Sequence, residues 1–361
     1  MFAISMHGQR ERPRQLGIEF GVLPTGALNA ITDVAGVKVG HITKIEGDSI
    51  RTGVTAILPH GSNIFNEKVP AAVYVGNGFG KLAGATQIME LGNIESPIVL
   101  TNTLSVAAGI EGIIKYTLSQ EGNEKVQSVN AVVGETNDGY LNDIRGMHIS
   151  SQDVMVAIGS AKTGLVEEGN VGAGTGTVCF GWKGGIGTAS RRLPESLGGY
   201  TVGILVQTNF GGILQISGMS VGQKLDQYSF KDAIKKADGS CMIIVATDAP
   251  VLERNLERMA KRAMMGLAKT GGIASNGSGD YVIAISTAAN LRIPHNTPKS
   301  TLLTAHFLDN NDMSPLFLAV IEATEEAIIN SLFGAESMAG KNGHKVDALP
   351  VDKVLEMMKN E

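Results

Sequence analysis

The chain has 361 residues, of which 43% are hydrophobic and 18% charged, and its net charge is −5 at neutral pH. A negative chain does not attract nucleic acid or an anionic membrane surface, and a hydrophobic fraction of this size excludes a disordered protein. No apolar run approaches the length of a membrane helix, and residues 1–15 lack the apolar core of a signal peptide. We therefore expect a soluble protein of the cytoplasm that binds neither nucleic acid nor membrane.

The cysteines and histidines do not form a recognisable metal-binding pattern. Cys179 and Cys241 lie in apolar stretches, and the seven histidines are scattered along the chain. Buried, inert thiols are typical of such positions, and no spacing matches a zinc site. We expect no metal and no cofactor.

The first half of the chain alternates between short predicted strands and helices. A strand with its turn is predicted at 29–43, further strands at 54–58, 71–76, 96–100, 131–133 and 154–158, and helices at 80–91 and 105–119. The strand at 131–133 is followed by a polar cluster that contains Glu135 and Asn137. Scaffolds often present binding groups at strand ends, so both are candidate substrate-binding residues, although the cluster alone also fits a solvated turn.

A glycine-dense run extends from residue 169 to residue 187. Its core, Gly172-Ala173-Gly174-Thr175-Gly176, lacks the lysine of a phosphate-binding loop, and the chain continues as a predicted strand at 178–182. Close backbone packing therefore explains the glycines better than nucleotide binding does. The next strand, at 200–207, leads to Asn209, which is either a turn former or a side-chain hydrogen-bond donor at a strand end. A polar segment at 211–236 follows, and we expect it to be flexible.

The stretch from 237 to 250 is the most informative in the chain. A polar turn, Ala237-Asp238-Gly239, leads into a continuous apolar run that starts after Ser240 and that Asp248 and Pro250 close. Such a run predicts a strand buried on both faces, with Ser240 at its junction with the loop. Gly239 gives the preceding peptide bond access to unusual dihedral angles. A Gly-Ser pair alone is typical of a turn.

The remaining elements follow this strand in regular order. A basic amphipathic helix is predicted at 252–269, a glycine-rich loop at 270–280, a strand at 281–285 and helices at 316–332 and 351–359. The loop contains Ser278 and Asp280 directly before the strand. No linker divides the chain, so we predict one domain over residues 1–361.

These motifs together resemble the L-aminopeptidase/D-esterase and β-peptidyl aminopeptidase family. The resemblance covers roughly residues 14–335, and several motifs occur in the right order, which makes it specific. The longest are DGSCMIIVATDAP, RAMMGLAKTGG and NGSGDYVIAISTAAN, and shorter ones include GETNDG and GNVGAGTG. It implies an α+β fold, a four-layer αββα sandwich like that of N-terminal nucleophile hydrolases. It also implies self-cleavage between Gly239 and Ser240 into fragments 1–239 and 240–361.

The resemblance further implies roles for individual side chains around Ser240, the N-terminal nucleophile of the cleaved enzyme. Asn209 would donate a hydrogen bond to the oxyanion. Ser278 would hydrogen-bond the nucleophile, and Asp280 would orient that serine or meet the substrate amine. Glu135 would face the free amino group of the substrate, and Asn137 is a weaker candidate.

The expected function is a self-processing serine aminopeptidase that acts on short peptides, amides or esters with a free amino terminus. By resemblance we expect a homo-oligomer, a tetramer of processed pairs. Two alternatives stay open. One is an amidase or acyltransferase for another acyl amide, although such relatives typically process before threonine. The other is an unprocessed binding homologue without enzymatic activity. The motifs do not decide between L-α-, D- and β-amino acid residues at the substrate's amino terminus.

Overall fold

A computed structural model describes residues 10–231, 239–295, 297–298 and 300–360. The turn residues Ala237 and Asp238 and the first nine residues lie outside the described part of the chain. The strands are β1 (Lys38–Glu46), β2 (Ile50–Leu58), β3 (Glu67–Gly78), β4 (Leu82–Ala83), β5 (Asn93–Ile94), β6 (Ile98–Asn102), β7 (Val132–Thr136), β8 (Val178–Cys179), β9 (Trp182–Lys183), β10 (Ile186–Arg192), β11 (Thr201–Asn209), β12 (Ser240–Thr247), β13 (Gly279–Ser286), β14 (Ile293–Pro294), β15 (Met338–Ala339) and β16 (Lys345–Val346).

The helices lie between these strands and at the end of the chain. They are α1 (Ala85–Leu91), α2 (Val106–Leu118), α3 (Ser151–Gly159), α4 (Val221–Lys224), α5 (Glu253–Lys269), α6 (Ser314–Phe333) and α7 (Val351–Lys359). Short 3₁₀ turns lie at Pro13–Leu16, Ile31–Asp33, Ile144–Gly146, Gly172–Gly174, Glu195–Leu197, Ala289–Leu291, Asn310–Asp312 and Lys341–Gly343.

Two large sheets contain most of the strands. One has five strands in the order β1-β2-β6-β7-β4, and the other has seven, in the order β10-β11-β12-β13-β3-β14 with β5 also beside β3. Strand β12 lies in the interior of the seven-stranded sheet, antiparallel to β11 and parallel to β13. It begins at Ser240. The prediction that the strand starts at the Ser240 junction is therefore confirmed.

The two faces of β12 pack in different cores. Met242 and Ile244 face the core between the two sheets, whereas Cys241 and Ile243 lie in the core beneath α5 and α6. Successive side chains of a strand point to opposite faces, so burial of both faces explains the continuous apolar run. Helices α2 and α3 cover the outer face of the five-stranded sheet. The layers are helix, sheet, sheet and helix, which confirms the four-layer αββα sandwich.

The prediction of a strand at 154–158 is wrong, because these residues lie in α3. Five residues are too few to distinguish the two-residue hydrophobic period of a strand from the 3.6-residue period of a helix. A helix-start signal stands directly before them. The Ser150 hydroxyl accepts the Asp153 N–H at 3.3 Å, and the Asp153 carboxylate accepts the Ser150 N–H at 2.8 Å. This reciprocal capping box favours a helix.

Other predicted elements differ in extent. Residues 82–83 form β4 before α1, and 178–182 form a hairpin, because Phe180 and Gly181 turn the chain with φ angles of +54° and +83°. The segment at 211–236 is predicted to be flexible, but its described part contains buried Leu214, Ile216 and Val221. Its apolar side chains therefore join the core beneath the seven-stranded sheet.

Two kinds of feature are not found in the ranges that the structure describes. None of the helices there is long and apolar enough to cross a membrane. Nor do three or more His, Cys, Asp or Glu side chains come together there in a way that would hold a metal ion.

A buried ionic network joins β10 to α6. Arg191, whose side chain is fully buried, places Nε 3.0 Å from a Glu322 carboxylate oxygen and Nη2 2.8 Å from Glu326. The Glu326 carboxylate also contacts Arg14 Nε at 2.7 Å. Each carboxylate is therefore paired, which is the condition under which charges are tolerated inside a protein. The network connects residues before and after Ser240.

Replacement of Arg191 by methionine should destabilise the protein strongly, because two buried carboxylates would lose a cationic partner. We expect a loss of about 3–5 kcal/mol. The neighbouring Arg192 pairs with Glu195 on the surface, so Arg192→Met should change stability by only about 0.5 kcal/mol. Thermal unfolding of both variants checks the prediction, and equal losses would contradict it.

Candidate active site

Ser240 is a buried serine whose hydroxyl lies against the peptide bond that precedes it. Its Oγ donates a hydrogen bond to the Gly239 carbonyl oxygen at 2.7 Å and accepts one from the Gly279 N–H at 3.2 Å. The same N–H also lies 3.2 Å from the Gly239 carbonyl oxygen. One backbone donor therefore faces both the hydroxyl and the neighbouring carbonyl.

Space, and not an unusual dihedral angle, makes glycine necessary at position 239. The φ of Gly239 is outside the left-handed region. A Cβ at this position would lie 2.4 Å from Phe210 Cα and 2.6 Å from the Asn209 carbonyl oxygen. Since both are backbone atoms, they have little freedom to move away. The expected dihedral freedom is therefore not what this glycine provides.

Asn209 is the register partner of Ser240 across β11 and β12. Its Oδ1 accepts the Val178 N–H at 2.9 Å, and a backbone donor can pair only with the oxygen of the amide. This contact fixes the orientation of the side chain. In the described part of the chain, Nδ2 has no hydrogen-bond partner, so an amide donor is available beside the serine.

Ser278 and Asp280 lie next to Ser240 in the sheet but not in the cavity that it lines. Both are 1% exposed, and the Ser278 hydroxyl donates to Asp280 Oδ1 at 2.8 Å. Among the described residues, no hydrogen bond joins Ser278 to Ser240 in this uncut chain, and Asp280 Oδ2 has no partner. Burial raises the pKa of Asp280 to about 6. The predicted roles of these two residues remain predictions.

A cavity of about 1250 Å³ opens in front of Ser240. Asn209, Glu135 and Asn137 line it together with Ser240, so four of the six predicted site side chains share one space. Phe79, Tyr140, Phe180, Phe210 and Tyr228 supply aromatic surface to its walls. Aromatic walls together with polar groups that converge on one space are typical of a binding site for a small substrate.

Glu135 lies at the end of β7, in the other sheet from Ser240. It is 3% exposed. Its Oε1 accepts the Lys81 N–H at 3.0 Å, and its Oε2 accepts the Thr103 hydroxyl. These two donors hold the carboxylate in place, while each oxygen keeps a further lone pair for another donor. The carboxylate is thus a preformed acceptor on the cavity wall.

Asn137 and the described part of the segment at 211–236 form further parts of the wall. Asn137 is exposed, and its Oδ1 accepts the Gly139 N–H at 2.9 Å, which leaves its amide NH₂ facing solvent or a ligand. From the other segment, Tyr228 and Ser229 line the cavity, and Ser229 Oγ accepts the Gly212 N–H at 2.9 Å. In the uncut chain this segment therefore borders the space in front of Ser240.

Three contacts around the site do not follow from the sequence interpretation: those made by Gly279, Thr103 and Lys81. A signal for Thr103 exists. Strands β6 and β7 are separated by a helix and run parallel, with Thr101 opposite Glu135, so the residues after β6 lie beside the end of β7. Lys81 comes next to Glu135 because the following residue, Leu82 of β4, pairs with Gly134 of β7, and the Gly279 N–H reaches Ser240 because β12 and β13 pair in parallel. No local pattern indicates these pairings.

Comparison with known proteins identifies the family of this chain. The model of Peptidase family S58 matches residues 29–346. The chain is 39% identical to the β-peptidyl aminopeptidase BapA of Sphingosinicella microcystinivorans over 94% of this chain and 89% of that protein.

Two solved structures are similar over almost their whole length. The PH0078 protein of Pyrococcus horikoshii OT3 is 47% identical with a TM-score of 0.89, covering 97% of this chain and 99% of that one. The L-aminopeptidase D-Ala-esterase/amidase of Ochrobactrum anthropi, described as a variant of the Ntn hydrolase fold, is 35% identical with a TM-score of 0.89, covering 97% and 98%. The resemblance inferred from the motifs is confirmed. This chain belongs to Peptidase family S58.

Proposed function

We propose that the protein is a self-processing serine aminopeptidase that releases N-terminal residues from short peptides, amino-acid amides or esters. Cleavage between Gly239 and Ser240 would yield fragments 1–239 and 240–361. The observation that supports this most directly is the position of the Ser240 hydroxyl, 2.7 Å from the Gly239 carbonyl oxygen, with the Gly279 N–H on the same oxygen.

Self-cleavage begins with attack of Ser240 Oγ on the Gly239 carbonyl carbon. The carbonyl oxygen then becomes an oxyanion, and the Gly279 N–H that it already accepts stabilises the added charge. The peptide C–N bond breaks, the serine nitrogen takes up the proton, and an ester joins Gly239 to Ser240. Water hydrolyses this ester to a Gly239 carboxylate and a free Ser240 amine.

The new amine supplies what the serine hydroxyl lacks. Serine is a weak nucleophile without an adjacent base, and an α-amine with a pKa of about 8 can act as that base near neutral pH. Ser240 would then form an acyl-enzyme with the substrate, and the free Asn209 amide N–H would donate to the oxyanion. Self-cleavage therefore doubles as activation.

Glu135, on the other sheet, would select substrates with a free amino terminus. A substrate ammonium group can donate a charge-assisted hydrogen bond to its carboxylate, which is buried on the cavity wall. A blocked terminus carries no positive charge and would bind less well. Asn137 adds a polar group on the same wall. Relatives named β-peptidyl aminopeptidase and L-aminopeptidase D-Ala-esterase/amidase support this class of substrate.

We also propose that processed pairs assemble into a homo-oligomer in the cytoplasm. Leu302, Leu303 and Phe307 are 93%, 60% and 56% exposed in the irregular segment before α6. Large apolar side chains grouped on a surface are typical of protein interfaces.

Replacement of Ser240 by alanine should abolish self-cleavage, because the attacking hydroxyl is removed. Intact mass under denaturing conditions should give two fragments for the native sequence and one chain of 361 residues for Ser240→Ala. Cys241→Ala changes the next residue, whose side chain is on the other face of β12, and should still be cut. A native chain that stays whole, with no turnover of amino-acid anilides, would overturn the proposal in favour of a binding role.

Replacement of Asn209 by alanine should slow acyl transfer by about 10²–10³-fold in kcat with little change in KM, because an oxyanion donor acts mainly in the transition state. Asn209→Asp keeps the acceptor for the Val178 N–H but removes the donor, so it should lose activity as well. Steady-state hydrolysis of an amino-acid anilide by mass-verified, processed protein tests this. A change in KM alone would assign Asn209 to substrate binding instead.

The buried Asp280 should make stability depend on pH. Its folded-state pKa of about 6 is above the ordinary 3.8, so the folded protein holds this proton more tightly and the free energy of unfolding falls as pH rises through that interval. The comparison uses the uncut Ser240→Ala protein as the parent. When the pH is raised from about 4 to about 8, the free energy of unfolding of Asp280→Asn should rise by about 1–3 kcal/mol relative to that of the parent. Urea unfolding at both pH values measures the gain. An equal parent–variant difference at the two pH values would contradict the prediction.

A further inference from the structure

Lys81 places a cation beside the carboxylate that we propose receives the substrate's ammonium group. Its side chain is 57% exposed and lines the same cavity as Ser240, and its Nζ lies 3.8 Å from Glu135 Oε1. Within the described part of the chain, no other carboxylate comes within 4.0 Å of this ammonium. Both oxygens of Glu135 already accept other donors, and 3.8 Å is longer than a hydrogen bond.

The other lysines that line the cavity have carboxylate partners of their own. Lys345 Nζ lies 2.8 Å from Asp347, and Lys231 is hydrogen-bonded to Asp226. Lys81 is different, because its one carboxylate neighbour is the group that a substrate would occupy. An incoming ammonium on Glu135 would lie next to the Lys81 ammonium, and two like charges at this separation repel each other.

A substrate that carries a carboxylate on the same carbon as its ammonium removes this conflict. The ammonium would pair with Glu135 and the carboxylate with Lys81, so that each charge has an opposite partner. The flexible four-carbon stem of a half-exposed lysine can follow the ligand to make this contact. The pair of side chains is thus complementary to an amino-acid head group, and not to an amine alone.

We propose that Lys81 makes the site selective for β-aspartyl peptides, in which an N-terminal aspartate is linked through its side-chain carboxyl group. In this acyl group the scissile carbonyl is followed by one CH₂ and then by the carbon that bears both ammonium and α-carboxylate. A β-alanyl group has the same skeleton without the carboxylate. This inference rests on the proposed function and names its substrate class.

The reaction is an ordinary hydrolysis in two acyl transfers. Ser240 Oγ displaces the amine of the next residue and forms an aspartyl ester through the β-carboxyl carbon, and the departing nitrogen takes up the proton. Water then cleaves the ester, its hydroxyl group remaining on the β-carboxyl carbon and its proton returning to the serine. The products are free aspartate and the shortened peptide, and no oxidant or further reactant is required.

The test compares two substrates that differ by a single carboxylate, the 4-nitroanilides of L-aspartate linked through the β-carboxyl and of β-alanine. The processed enzyme should favour the β-aspartyl anilide by about tenfold or more in kcat/KM, as one charge-assisted pair provides. Lys81→Met should reduce this ratio by about tenfold or more, mainly through KM. Free L-aspartate should inhibit the native enzyme more strongly than β-alanine, and this difference should disappear in Lys81→Met.

Lys345→Met is the matched control, because it removes a lysine from the same cavity that is already paired with Asp347. Its substrate ratio should stay within about twofold of the native ratio. Equal or better hydrolysis of the β-alanyl anilide by the native enzyme, or an unchanged ratio in Lys81→Met, would overturn the inference. So would a processed enzyme that cleaves α-aspartyl or other L-α-anilides but neither β-anilide. Failure of the proposed function looks different, since the chain would then remain uncut and would hydrolyse no anilide.

Discussion

Strand β12 is hydrogen-bonded along both sides from its first residue, to β11 on one side and to β13 on the other. Asn209 and Gly279 are the register partners of Ser240 in these two pairings. The amide donor of one and the backbone N–H of the other are therefore placed beside the serine by the sheet itself. A slip of one residue would move every side chain of β12 to the opposite core, so the register is strongly specified. The peptide bond between Gly239 and Ser240 therefore lies among groups that the strand pairing holds in place.

A cut between Gly239 and Ser240 would not divide this sheet. Strand β12 would belong to the second fragment, yet it pairs with β11 of the first, and β13 pairs with β3 of the first. The buried contacts of Arg191 with Glu322 and Glu326 also join the two fragments. The new amine at Ser240 would stay among the groups that surrounded the peptide bond. One arrangement can thus serve first the chain's own peptide bond and then a substrate.

The substrate site depends on the close approach of the two sheets. A Cβ on Gly134 would lie 2.6 Å from Met242 Sδ, so β7 and β12 pack closely at this point. The neighbouring Glu135 is thereby brought to the same cavity as Ser240. In the function that we propose, hydrogen-bond donors for an oxyanion lie on one sheet and the acceptor for a substrate ammonium group lies on the other. These two sets of groups would fix the direction in which a substrate binds. Lys81, beside Glu135, would then contact a further charged group on the substrate's amino-terminal carbon.

Local patterns in the sequence were sufficient wherever one element is decided by its own residues. The continuous apolar run after Ser240 indicated a strand buried on both faces, because a strand with one solvent-exposed face would alternate apolar and polar residues. The ordered motifs identified the family and, with it, the four-layer fold. The pattern failed at 154–158, where five residues fit either period and the capping box of Ser150 and Asp153 decided for a helix.

What the sequence by itself determined was therefore the strand that begins at Ser240, the strand ends that carry Asn209 and Glu135, and the family. Only the tertiary structure decided which groups meet there. The Gly279 N–H reaches Ser240 because β12 and β13 pair in parallel, and Lys81 lies beside Glu135 because Leu82 of β4 pairs with Gly134 of β7. Even the need for glycine at 239 comes from the backbone of Phe210, which packs too close for a Cβ. These contacts join residues far apart in the chain, and they depend on strand order and sheet packing, which no local pattern encodes.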